Sequence, residues 1–67
     1  MNRIHVNGSP MEVPAGWRLA DLLLDLDLTN RRVAVELNGE IVPRSGHERT
    51  ALAGGDRIEI VAAVGGG

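Results

Sequence analysis

The sequence predicts an α+β fold in which a mixed sheet of four to five strands packs on one helix. Three features carry that prediction. Apolar residues alternate with polar ones around Asn7-Gly8 and again around Asn38-Gly39, the pattern of two hairpins. Between them Leu19, Leu22, Leu23 and Leu26 stand at i, i+3, i+4 and i+7, which is one stripe of a helix. A last apolar run from Arg57 to Val64 follows the turn Gly54-Gly55-Asp56 and reads as a closing strand.

Each element has its local reason. Ile4, Val6, Met11 and Val13 alternate on either side of Asn7-Gly8-Ser9-Pro10, so the first strands fall at roughly 2–7 and 10–14. Asn and Gly accept the positive φ that a tight hairpin turn requires. Pro14 and Gly16 end the second strand. The helix covers about residues 17–27, with Asp21 and Asp25 opposite the leucine stripe. Leu28 is best explained if the helix stops near Asp27 and the chain turns back to the core, whereas Leu24 points away and is a candidate contact residue. Val33, Val35 and Leu37 form a third strand, Ile41-Val42 a short return strand, and Pro43 stops it. Residues 44–53 read as loop, with Leu52 anchored in the core.

A hairpin, a crossover helix and three further strands suit one mixed sheet covered on one side by the helix. This is the ubiquitin-like β-grasp order, whose final strand lies inside the sheet and delivers the C-terminus to its edge. The expected organisation is one β-grasp domain, residues 1–64, and a flexible glycine tail, residues 65–67.

Length and composition narrow the function. With 67 residues and no cysteine, the chain has room for one small core and no disulfide to staple it. A domain of this size buries only about 60% of the surface its unfolded chain exposes. The net charge of −2 and a single aromatic residue, Trp17, argue against nucleic-acid binding, which draws on basic patches and stacking platforms. No apolar run approaches the ~20 residues that span a bilayer. Met1-Asn2-Arg3-Ile4 lacks the pattern of a signal peptide. A cytoplasmic location is expected. All seven basic residues are arginine, which genome composition explains; the lack of lysine also removes any side-chain amine that could capture an activated tail.

No residue set inside the domain reads as an active site. His5 and His47 belong to different elements and lack further ligands at metal-binding spacing, so no metal site is expected. Ser9 and Ser45 occupy turn positions. Asp21, Asp25 and Asp27 read as a solvated helix face, with an acidic docking face as the second reading. Gly54-Gly55-Asp56 lacks the Gly-Lys-Ser/Thr completion of a phosphate loop and precedes a strand. No catalytic residue and no bound cofactor are expected.

Three glycines, Gly65-Gly66-Gly67, directly follow the last apolar strand. Lacking a Cβ, glycine can thread a narrow channel and present a carboxylate deep in a partner's active site. Glycine-rich ends also occur as simple frays. The residues alone leave both readings open, with the functional one favoured.

Taken together, "VNGSPMEVPAG", "LADLLLDL", "VAVELNGEIVPR" and "LAGGDRIEIVAAVGGG" resemble the ubiquitin-like sulfur carriers of thiamine (thiazole) biosynthesis, the ThiS/MoaD-type β-grasp family. The resemblance runs through essentially the whole chain. Its specific part is the combination of "ELNGEIVPR", "GGDRIEI" and a terminal Gly-Gly at this length. The chain ends in three glycines where the family needs two, which makes Gly66 and Gly67 the functional pair and Gly65 a spacer.

The resemblance implies a protein co-substrate, not an enzyme. The Gly67 carboxyl would be adenylated with ATP by an E1-like activating enzyme, then converted to a thiocarboxylate by a cysteine desulfurase or other persulfide donor. Thiazole synthase would take the sulfur. Partners would dock on the outward face of the last strand, with Ile58, Ile60, Val61 and Val64 as candidates. Whether Ile58 and Ile60 or Arg57, Glu59 and Val61 face outward stays open, because both parities carry apolar residues near 60–64.

Two other readings compete. One is sulfur carriage for molybdopterin or another sulfur metabolite. The other is a stand-alone regulatory or RNA-binding β-grasp module, which should carry a basic face and need not end at Gly-Gly.

Overall fold

The structure, a computed structural model, describes residues 1–62 of the chain. Its elements are β1 (Asn2–Val6), β2 (Ser9–Val13), α1 (Leu19–Asp25), β3 (Val33–Leu37), β4 (Glu40–Val42), a 3-10 turn at Arg44–Gly46 and β5 (Arg57–Ala62). The five strands form one sheet in the order β2-β1-β5-β3-β4. β1 runs parallel to β5, and the other neighbours are antiparallel. The expected β-grasp order is therefore present, with the last strand at the centre.

Both Asn-Gly pairs form the hairpin turns, at Asn7 (φ 50) with Gly8 (φ 86) and Asn38 (φ 52) with Gly39 (φ 88). Two successive positive φ angles match the right-handed twist of the strands they join.

The helix is shorter than its leucine pattern suggested, because tertiary pairing takes its start and a local turn closes its end. Trp17 and Arg18 are extended: Arg18 bridges Ala51, the Trp17 carbonyl accepts from the Leu52 N–H at 2.8 Å, and the Leu19 N–H donates to Thr50 at 2.9 Å. The Asp21 carboxylate accepts from the Arg18 N–H at 2.8 Å, so this residue caps the helix, a role the sequence reading of a solvated or docking face did not include. At the other end Asp27 adopts φ 61, and the Leu28 N–H reaches back to the Leu23 carbonyl at 2.8 Å. This is a Schellman turn with aspartate in the position glycine usually holds. It returns Leu28 to the core edge, as the sequence suggested.

Ile4, Val13, Leu19, Leu22, Leu23, Val35, Leu52 and Ile58 make the core, which lies between the helix and one face of the sheet. Burying each such side chain contributes about 1.5–3 kcal/mol, the main favourable term in a chain with no cysteine to form a disulfide. The segment 44–53 is loop-like apart from its 3-10 turn. Leu52 anchors it, and His47 is buried, with Nε2 at 3.1 Å from the Val42 carbonyl.

Candidate functional site

A strand presents alternate residues to opposite faces, so pairing fixes which residues of β5 are accessible. Ile58 lies opposite Leu37 and Ile60 opposite Val35, and Val35 is 1% exposed in the core. Ile58 and Ile60 therefore face the helix. Ile58 is 1% exposed and Ile60 half-buried, which corrects their assignment as docking residues. Burial under α1 claims the side chains that a partner would need. Arg57, Glu59 and Val61 take the outward parity, and Val61 is 59% exposed. The remaining docking candidate, Val64, and the tail residues Gly65, Gly66 and Gly67 lie outside the described residues.

Val61 does not stand alone on the open face. It is directly opposite Ala34 of β3, whose next outward residue, Glu36, is opposite the exposed Ile41 of β4. Val61 and Ala34 make a small aliphatic surface at the end of the sheet toward which β5 runs, and Ile41 lies one row back beside Glu36. Arg57, Glu59, Glu36 and His5 give the rest of that face its charged and polar character. An apolar patch bordered by charge is a usual protein interface. Leu24, 68% exposed, lies on α1 and so on the other layer.

Two side chains hold β5 in place. Asn7, in the first turn, accepts at Oδ1 from the Ile60 N–H at 2.7 Å and donates from Nδ2 to the Ile60 carbonyl at 3.2 Å. Asn38, in the second turn, accepts from the Arg57 N–H at 2.9 Å and donates to Asp56 Oδ1 at 3.1 Å. The sequence identified both asparagines as turn formers. Nothing in it showed that their carboxamides also clamp the final strand, Asn38 at its start and Asn7 at Ile60.

Within the domain, chemistry finds little to work with. Among the described residues no three His, Cys, Asp or Glu side chains are grouped to hold a metal ion. The hollows are shallow; one of about 350 Å³ is lined by His5, Gly8, Gly55, Arg57, Ile58 and Glu59, without a hydroxyl or thiol for nucleophilic work. No described helix is long and apolar enough to cross a membrane. The arrangement offers a central strand whose C-terminal end leads into residues 63–67 beside an apolar patch.

Known proteins share this plan. The model of the ThiS family matches residues 4–67. The crystal structure of the thiamine biosynthesis protein ThiS from Geobacter metallireducens superposes with a TM-score of 0.84 at 34% identity, covering 97% of this chain and 99% of that one. The NMR structure of a thiamine biosynthesis protein from the same organism gives 0.76 at 34% identity, covering 97% and 87%. A thiazole synthase of Paramagnetospirillum magneticum is 42% identical over 65 residues, which are 97% of this chain and 20% of that protein. The chain thus spans about one fifth of the length of the thiazole synthases it matches. An uncharacterized protein of Pyropia yezoensis, ycf40, is 39% identical over 64 residues, 96% of this chain and 90% of its own length.

Proposed function

The chain belongs to the ThiS family, and from that premise we propose that it carries sulfur for the thiazole of thiamine. The observation that carries this reading is the placement of β5. A central strand, clamped by Asn7 and Asn38, runs past the open-face patch into the glycine tail.

The chemistry follows from the tail. A carboxylate resists nucleophiles, so Gly67 needs activation. In this reading its oxygen attacks the α-phosphorus of ATP on an E1-like enzyme, pyrophosphate leaves, and an acyl-adenylate forms. The terminal sulfur of a persulfide then attacks the acyl carbon and displaces AMP. A thiol cleaves the resulting acyl disulfide, takes the other sulfur into a disulfide, and leaves a thiocarboxylate on Gly67. That group is an anionic, soft nucleophile, suited to carbon–sulfur bond formation inside thiazole synthase. Water then attacks the acyl carbon of the resulting thioester, the sulfur leaves on the acceptor, and the carrier is regenerated as the carboxylate, a co-substrate throughout. Gly66 serves as the slim neck that lets the carboxyl enter two active sites in turn, with Gly65 as a spacer.

Intact mass tests the reading. Incubation with ATP, the activating enzyme and a persulfide donor should add the mass of one sulfur in place of one oxygen, and deletion of Gly67 should abolish the gain. An active cognate enzyme that leaves the mass unchanged would sink it. Retention of a thiazole synthase on the immobilised protein, in preference to a molybdopterin-synthase large subunit, then assigns the pathway.

A further inference from the structure

On the helix side, at the same end of the sheet as the open-face patch, several segments meet around a groove of about 270 Å³. It is lined by the apolar Leu23, Leu28 and Val33, with Thr29 and His47, and by the guanidinium groups of Arg31, Arg32 and Arg44. The leucines and Val33 are buried or half-buried, and the three arginines are exposed above them. Among the described residues no carboxylate lines the groove. Arg44 donates to the Thr29 carbonyl at 3.0 Å, and the ion pair found among the described residues is Arg3–Glu12, on the opposite face. Three positive charges are thus gathered without a contacting acid among the described residues, in a chain whose net charge is −2.

The groove is also well placed. Val33, in its lining, is the register partner of Ala62, the last described residue before the tail. Any protein that takes hold of the tail comes within reach of this groove. The aliphatic pair of Val61 and Ala34 lies on the other face of the same sheet end.

We propose that the Arg31–Arg32–Arg44 groove docks an acidic segment of the enzyme that engages the tail, independently of the open-face patch. The proposal rests on the carrier reading. Guanidinium forks match carboxylates in pairs, and the apolar lining accepts an aliphatic side chain between them. A carrier must meet successive enzymes and leave each again. Charge complementarity speeds encounter and selects partners without requiring tight affinity, which suits that duty. A nucleic acid is disfavoured as occupant, because Asp21 and Glu48 line the adjoining hollow and would repel an extended polyanion.

The experiment measures dissociation constants of the full chain for purified thiazole synthase and for the E1-like activating enzyme at low and high salt. The variants are Arg31→Glu and Arg32→Glu, with Arg49→Glu as the control of equal charge change outside the groove. Thermal melts confirm that each folds. For at least one enzyme, either groove variant should weaken binding roughly tenfold at low salt, flatten the salt dependence, and exceed the effect of Arg49→Glu. Parity of all three variants against both enzymes overturns the groove while leaving the carrier reading intact. A wild-type chain that binds neither enzyme and gains no sulfur overturns both.

Discussion

The carboxamide of Asn7 substitutes for a strand at Ile60, accepting from its N–H at 2.7 Å and donating to its carbonyl at 3.2 Å. β1 pairs with β5 at His5–Arg57 and Val6–Ile58 and then turns away into the hairpin. One side chain continues the parallel ladder by a further step, because a primary amide presents the same donor and acceptor as a peptide group. The strand leading to the tail is thereby held on both edges as far as Ile60, while β3 alone pairs with Val61 and Ala62.

Asn7→Ala should lower the unfolding free energy by about 1–2 kcal/mol, measured by urea denaturation, through loss of both bonds. Asn7→Asp keeps the acceptor for the Ile60 N–H and should lose less. Amide exchange at Ile60 should quicken in the alanine variant. Unchanged exchange there would mean that β5 does not depend on the clamp.

The two parities of β5 should answer oppositely to truncation. Ile58→Ala opens a cavity among fully buried neighbours and should cost about 2–5 kcal/mol, enough to unfold much of so small a domain. Val61→Ala, on the open face, should stay within about 0.5 kcal/mol of wild type. Circular dichroism during chemical denaturation reads both.

Glycine is required at Gly39 and dispensable at Gly54. Gly39 sits at φ 88, where a Cβ strains the backbone although nothing lies within 4 Å of it. Gly39→Ala should cost about 1 kcal/mol or more. A Cβ on Gly54 meets only the Asn2 side chain at 3.7 Å, an ordinary contact, so Gly54→Ala should be neutral in the same melts.

On the carrier reading, Val61→Glu should fold normally yet bind thiazole synthase roughly tenfold more weakly, since a charge would enter a small apolar contact. Calorimetric titration against the purified enzyme checks it. Full affinity in a folded Val61→Glu chain would remove the open-face patch from the interface.

Much of this architecture was legible in local pattern. The Asn-Gly pairs specify turns by backbone sterics, and Leu19, Leu22 and Leu23 specify the buried helix face by spacing. The end of the helix was readable from Leu28, whose burial needed a chain reversal near Asp27. Its beginning was not, because Trp17 and Arg18 are drawn into extended pairing with residues 50–52, a contact distant in sequence. The tail's candidacy rested on three glycines after an apolar strand and on a family resemblance, and both are properties of the sequence alone.

What the sequence determined by itself is the set of elements, their order and the residue type at the end of the chain. Alternation, helical periodicity and turn chemistry act over a few residues and need no partner to be read. Tertiary structure alone decided which side of β5 is open, since Ile60 and Val61 are equally apolar and only pairing with Val35 and Ala34 separates them. It also decided that Arg31, Arg32 and Arg44 share one groove and that two turn asparagines clamp the final strand. Those facts depend on side chains brought together across the fold, where distance in space, not spacing in the chain, sets the energy.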